Sequence, residues 1–303
     1  MLIKKTTTLL LFLGLSSLYA KNDLMSGLTD IVNKVEDKKV EDKKVLNYAF
    51  KQRMRTQWMS RDALLISMDF NSSFYQKELL KNANLFNENF TNLINSKEDI
   101  KKAKKRNPNF AKKIEEVTQI WANFYDSVKK ISKDSKDKNA LKVIVENNMK
   151  LLDGIAYIFT NFIKSYQSTN KLEASMAHIK SMLYTQVGKP RMYINKLVKE
   201  RLLIDQNINT KENKNSLNQS IKDMDRLMKA LKDGDKELEL HGTEDRKILE
   251  KLSISQKIWE EVKSLASKKQ LSKKEWDKLI KENEEFIKAQ TEVVKLTRAS
   301  NDN

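Results

Sequence analysis

Apolar residues along this chain recur at three- and four-residue spacing, in runs separated by short polar breaks. Ile114, Val117, Ile120, Trp121, Phe124 and Val128 form one stripe, and Leu141, Ile144, Met149, Leu152, Ile155 and Phe159 form the next. Each stripe fits one face of an amphipathic helix. No sustained period-two alternation bounded by turns occurs, so no strands are predicted. Start and stop signals divide the chain further. A first helix begins at Leu46 and runs to about Phe70, and a second covers about Ser73 to Leu93. "SKED" at 96–99 has a capping-box pattern, and Asn107 followed by Pro108 opens the third helix. The fourth follows the polar break "SKDSKDKN". Four further helices follow the same order: one through "YTQVGKPRM" to Ile204, one stopped by Gly234, one with Thr243 as N-cap, and one opened by the capping box "SKKEW".

The order repeats because the sequence repeats. "KQRMRTQWMSRDALLI" (Lys51 to Ile66) returns as "KPRMYINKLVKERLLI" (Lys189 to Ile204), with 191 − 53 = 138. Six positions are identical, and Arg61/Lys199 and Asp62/Glu200 recur in kind. Leu93 and Leu231 share that offset, as do Trp121 and Trp259, each preceded by Ile. Three landmarks on one offset identify a tandem duplication. The predicted fold is all-α: two tandem antiparallel four-helix bundles joined by a long connecting helix. The units span 46–165 and 184–303, with the connecting helix at 166–183. "NFIKSYQSTNKLEASMAHIKSMLYTQV" contains neither Gly nor Pro, so a continuous helix, kinked near Gly188 and Pro190, is expected to stack the units end to end as a rod.

Composition supports helices, with six Gly and two Pro in 303 residues. The first twenty residues stand apart. Lys4 and Lys5 precede an apolar run from Thr8 to Leu18, and Ala20 precedes a polar stretch. This is the pattern of a secretory signal peptide cleaved after Ala20, giving a periplasmic protein; an uncleaved inner-membrane anchor is the alternative. Residues 21–45 form a charged lead-in carrying "VEDKKVEDKKV", whose five-residue period fits no helical stripe. There is no Cys, hence no disulfide framework. The net charge is +17, but Lys is dispersed among Glu and Asp without an aromatic-interleaved stripe, which argues against nucleic acid. His178 and His241 are isolated in sequence, so neither a metal site nor a cofactor is expected. Gly-rich phosphate loops and Ser/His/Asp arrangements are absent, so no enzyme is expected.

On heptads, Leu46, Ala49, Phe50, Arg53, Gln57, Ser60 and Leu64 fall on one seam, and Tyr184, Val187, Gly188, Arg191, Asn195, Val198 and Leu202 on its counterpart. Met54 and Met192 lie beside it. An arginine sits mid-seam in both copies. It either pairs with a neighbouring carboxylate or snorkels, or it presents a planar fork to an anion at an interface.

"LNYAFKQRMRTQWMSRDALLI" and "YTQVGKPRMYINKLVKERLLI" resemble the opening helix of the PilJ-type sensor domain. That domain occurs in type IV pilus methyl-accepting chemotaxis transducers and in nitrate/nitrite-responsive histidine kinases. The family pattern is approximately I-N-x-A-G-x-Q-R-M-x-x-Q-R-M. The resemblance covers the mature chain as two copies, including the third-helix Trp and "N-x-x-L-L" at Asn148, Leu151 and Leu152, with a weaker match at Asn283, Phe286 and Ile287. It implies a helical-bundle sensor that binds a small oxyanion, nitrate or nitrite first, through the motif arginine, which in the nitrate sensors comes from both subunits of a dimer. By position the ligand residues are Arg53 and Arg191, with Met54, Met192, Gly188, Gln57 and Asn195 as supporting motif. Phe50 stands where the family has Gly in the first copy, and Trp58 and Lys196 replace its second Arg. The chain carries no kinase or methyl-accepting segment, so the implied role is to relay ligand state to a membrane-bound receptor or envelope protein, with a homodimer compatible. The alternative is a structural or interaction bundle that docks on such a partner without a small ligand.

Overall fold

The reversal after each motif helix is the same backbone event twice. Asp69 and Asn71 have φ of 62° and 42°, and Asn207 and Asn209 have φ of 57° and 42°. Asn and Asp tolerate this left-handed region better than other non-glycine residues. Phe70 N–H then donates to Leu65 O, and Ile208 N–H to Leu203 O, both at 2.9 Å. The turn therefore falls a few residues before the Phe70 boundary expected from the sequence.

The computed structural model describes residues 51–95, 100–101, 104–105, 107–167 and 171–302, with side chains for all of these except 162–185 and 301–302. The signal peptide, the charged lead-in, the "SKED" box and Phe50 lie outside the described residues. The helices are α1 (51–67), α2 (Ser72–Asn95), α3 (Pro108–Ile131), α4 (Lys138–Gln167), α5 (Lys171–Asp205), α6 (Thr210–Asp233), α7 (Arg246–Ala266) and α8 (Lys273–Asp302). The fold is all-α, and the described residues contain no strand beyond an isolated bridge between Asp235 and Leu240. Residues 168–170, near the start of the expected connecting helix, lie outside the described residues. Beyond them α5 runs unbroken through Pro190.

Element bounds carry the duplication further than the landmarks do. α2 and α6 start and end 138 residues apart, and α3 and α7 start 138 apart. α4 and α8 are instead offset by 273 − 138 = 135, because α7 has 21 residues where α3 has 24. Caps follow the sequence signals in three of four cases. Asn107 accepts from Phe110 N–H, Gly234 ends α6 at φ 90°, and Ser272 and Glu275 form their reciprocal box. The exception is α7. Asp245, not Thr243, caps it, accepting from Lys247 and Ile248 N–H, while Thr243 Oγ1 accepts from Asp245 N–H.

Each repeat buries its own third-helix tryptophan. Trp121 packs on Phe86 with centroids 4.1 Å apart and donates Nε1–H to Asn87 Oδ1 at 3.0 Å. Trp259 is fully buried and donates to Asp225 Oδ1 at 2.7 Å. Asn87 and Asp225 are again 138 apart, so the two Trp residues occupy equivalent places. One expected stripe residue does not follow the pattern: Met149 is 40 % exposed, and Asn148 beside it is buried.

The repeats are not stacked end to end. They lie side by side in one compact unit, Tyr48–Asn303, with α1 and α5 parallel and in contact. Arg61 bonds Asn195, Lys199 bonds Gln57, and Gln206 bonds Ser67. The cause is visible in the heptads. Gln57, Ser60 and Asn195 are fully buried polar residues on the seam. Buried polar groups need partners, and the other repeat supplies them to Gln57 and Asn195.

Candidate functional site

The expected ligand arginines sit at the end of the paired α1 and α5 where both motifs begin. Arg53 is half-buried, its Nε buried without a partner. Burial lowers its proton affinity, partly offset by Tyr193 and Asp153 nearby. Arg191 is buried, and one of its terminal nitrogens donates to Thr291 Oγ1 at 3.4 Å. Burial, then the neighbouring Arg298, brings its pKa down to about 10. Lys51 is depressed by burial and next by Arg55, Arg298 and Arg191; Lys189 is depressed by burial and next by Arg53. Cations from α1, α5 and α8 therefore gather where the motifs start. The two arginines take different neighbours. Arg53 lies by Tyr193 and Asp153, and Arg191 by Thr291 and Arg298.

The supporting motif residues divide. Met54, Met192 and Gly188 are buried, as their positions beside the seam require. Gln57 and Asn195 turn to a different task. Arg61 donates to Asn195 Oδ1 and Asn283 Oδ1, both at 2.7 Å, while its Nε and a terminal nitrogen hold Asp62 Oδ1. Lys199 Nζ donates to Gln57 Oε1 at 2.9 Å and Asn148 Oδ1 at 2.7 Å. Since Arg61 and Lys199 are equivalent, as are Gln57 and Asn195, the bonds cross the seam in the same way from each side. Helical side chains lean toward the N-terminus, so each cation reaches the residue one turn earlier on the facing parallel helix. Asn148 and Asn283, on α4 and α8, share the 135-residue offset of those helices and close the layer.

This layer is buried throughout: Gln57, Asp62, Asn148, Asn195 and Asn283 are at most 1 % exposed, and Arg61 and Lys199 no more than 8 %. In the sequence Arg61/Lys199 and Asp62/Glu200 recur in kind, off the heptad seam that carries Arg53 and Arg191. The signal that finds them is a charged pair conserved in kind inside an apolar run at the duplication offset. Asn195 ties the layer to the motif end, donating Nδ2–H to the backbone oxygen of Arg191 at 2.6 Å.

Among the described residues no group of three or more His, Cys, Asp or Glu is arranged to hold a metal ion. Nor is any described helix long and apolar enough to cross a membrane. No protein-family model, no curated protein and no solved structure matches this chain.

Proposed function

We propose that this protein is an exported, periplasmic helical-bundle module that binds a small oxyanion at the motif end of α1 and α5 and passes its ligand state to a membrane-bound receptor or envelope protein. The observation that carries this reading is the gathering of like charges there: buried Arg55 and Arg191, half-buried Arg53, Lys189 and Arg298, and exposed Lys51. Cations that depress one another's proton affinity are relieved by an anion, which guanidinium forks bind through charge-assisted hydrogen bonds. Nitrate and nitrite are the first ligands to try, from the motif resemblance alone. Asn195 supports a relay, since it joins the backbone of Arg191 to Arg61 on the other repeat.

The docking-bundle alternative draws less support. Among the described residues the exposed large hydrophobics are Phe74, Met149 and Ile254, single residues on three different helices, and isolated surface hydrophobics are ordinary.

The test is a thermal-shift series with nitrate, nitrite, sulfate and phosphate on the mature chain and on Arg191→Ala. An oxyanion that binds only the folded state raises the melting point. Loss of a desolvated charge-assisted bond, worth about 1.5–3 kcal/mol, weakens that binding by roughly ten- to a hundred-fold. Arg191→Lys binds poorly as well, since a point charge does not replace the fork. No shift with any oxyanion at millimolar concentration, or an unchanged shift in both variants, ends this reading.

A further inference from the structure

We propose that Asp62 is a proton-binding site built into the seam between the repeats, which takes up a proton while the chain stays folded. The argument starts from its counterpart, Glu200. That carboxylate is 1 % exposed and fully served: Ser216 and Ser220 donate hydroxyls to its two oxygens, and Lys196 Nζ lies 2.8 Å away. Each of those three donors has been exchanged in the first repeat. At the 138-residue offset Ser216 corresponds to Glu78, Ser220 to Asn82 and Lys196 to Trp58. Asn82 donates to the backbone oxygen of Glu78, and Trp58 Nε1 is buried without a partner. Asp62 has therefore lost every donor that Glu200 keeps.

What remains around Asp62 is one cation and several anionic or acidic groups. Arg61 on α1 grips Oδ1 alone, at 2.8 and 2.6 Å, and Oδ2 is buried without a partner. From α2 come Glu78, which also pairs with Lys81 at 3.1 Å, and Tyr75. From α8 comes Glu284, which accepts from the Tyr75 hydroxyl at 3.2 Å. The groups that α5 and α8 contribute to Arg61 itself, Asn195 and Asn283, are neutral. A wholly buried carboxylate with a bare oxygen, facing two further carboxylates and holding one guanidinium, favours the neutral form. Burial, only partly opposed by Arg61, accordingly pushes the Asp62 carboxyl up to about 6. The proton comes from solvent and sits on Oδ2, leaving Oδ1 to accept from Arg61 with the crossed bonds to Asn195 and Asn283 in place.

Because this folded value lies above the ordinary one, Asp62 favours folding most at low pH, and that advantage is lost as pH rises through about 6. The test follows the folding equilibrium constant of the chain by urea titration from pH 4 to pH 7, in wild type and in Asp62→Asn, which keeps the shape but cannot titrate. The wild-type constant gains on that of the variant by on the order of a hundred-fold on going from pH 7 to pH 4. A ratio that does not change with pH overturns the proposal. Glu78→Ser serves where Asp62→Asn does not fold. It copies the second repeat on a partly exposed position, adding a donor and removing a carboxylate, and should move the transition about one pH unit lower. A profile that stays in place overturns the proposal equally.

Discussion

Lys199 is held by amide oxygens, with Met149 Sδ 3.8 Å from its Nζ. Burial, only partly offset by Glu200, brings its pKa down to about 8 from the 10.5 of a free lysine. The folded chain thus disfavours the charged form, so folding is favoured most above the free value and least below about pH 8. The difference between those limits is about 3 kcal/mol. Lys199→Met keeps the unbranched length and removes the titration. Urea unfolding at pH 7 and pH 10 should show wild type gaining about 2–3 kcal/mol on the variant as pH rises; a gap that stays constant would mean Lys199 titrates like a surface lysine. Arg61, in the equivalent place, keeps a carboxylate partner, and Asp62 holds its proton affinity above the usual arginine value despite burial. The same seam position is therefore filled by an ion pair in one repeat and by an amide-solvated cation in the other. Residue types along α1 and α5 show that polar groups are buried there. They do not show which polar group answers which, because Gln57 and Asn195 find their partners 142 and 134 residues away.

Among the elements, the fourth helix of each repeat shows how the copies drifted while keeping their packing. A Cβ on Gly154 of α4 would lie 2.3 Å from Val117 Cγ2 on α3. At the corresponding offsets the second repeat has Ala289 and Ser255, a residue larger than Gly154 matched with one smaller than Val117. Val117 is fully buried and β-branched, so it has little room to turn aside. In an exposed helix interior Gly→Ala is worth about 1 kcal/mol of stabilisation. Here the clash reverses the sign, and Gly154→Ala should destabilise the fold by about 1–3 kcal/mol. Adding Val117→Ser, which reproduces the second repeat, should recover most of that loss against Val117→Ser alone. A double-mutant cycle by chemical denaturation measures the coupling, and additivity of the two changes would show that the helices do not meet there. Helix ends and caps were legible in the sequence because Asn107-Pro108, Gly234 and Ser272-Glu275 act locally. The 135-residue offset of the fourth helices shows in the sequence where Asn148 matches Asn283, but the place of the three-residue loss does not, since it falls within α7, where no turn residue marks it.

At the scale of the whole molecule, a buried heptad stripe says that a face is covered and leaves open what covers it. Repeats joined through a helix without Gly or Pro suggested a rod, yet the crossed bonds of Arg61 and Lys199 require α1 and α5 side by side. This arrangement has a thermodynamic consequence. Separating the repeats would strip Arg61 of Asn195 and Asn283, and Lys199 of Gln57 and Asn148, at once. Breaking even one buried charged group away from its partners costs about 3–5 kcal/mol, a large share of the stability of an ordinary domain. Neither repeat should then remain folded while the other is unfolded. Incorporating 5-fluorotryptophan labels Trp58, Trp121, Trp259 and Trp276, which report on α1, α3, α7 and α8. Followed by fluorine NMR through a urea titration, all four native resonances should disappear at one midpoint. Arg61→Leu, made in the first repeat, should lower the midpoints of Trp259 and Trp276 in the second by as much as those of Trp58 and Trp121. If the first pair and the second pair separate into two transitions, the seam is a contact between independent bundles. A single shifted midpoint instead means that the duplication produced one cooperative fold, in which each copy supplies the polar partners that the other one buries.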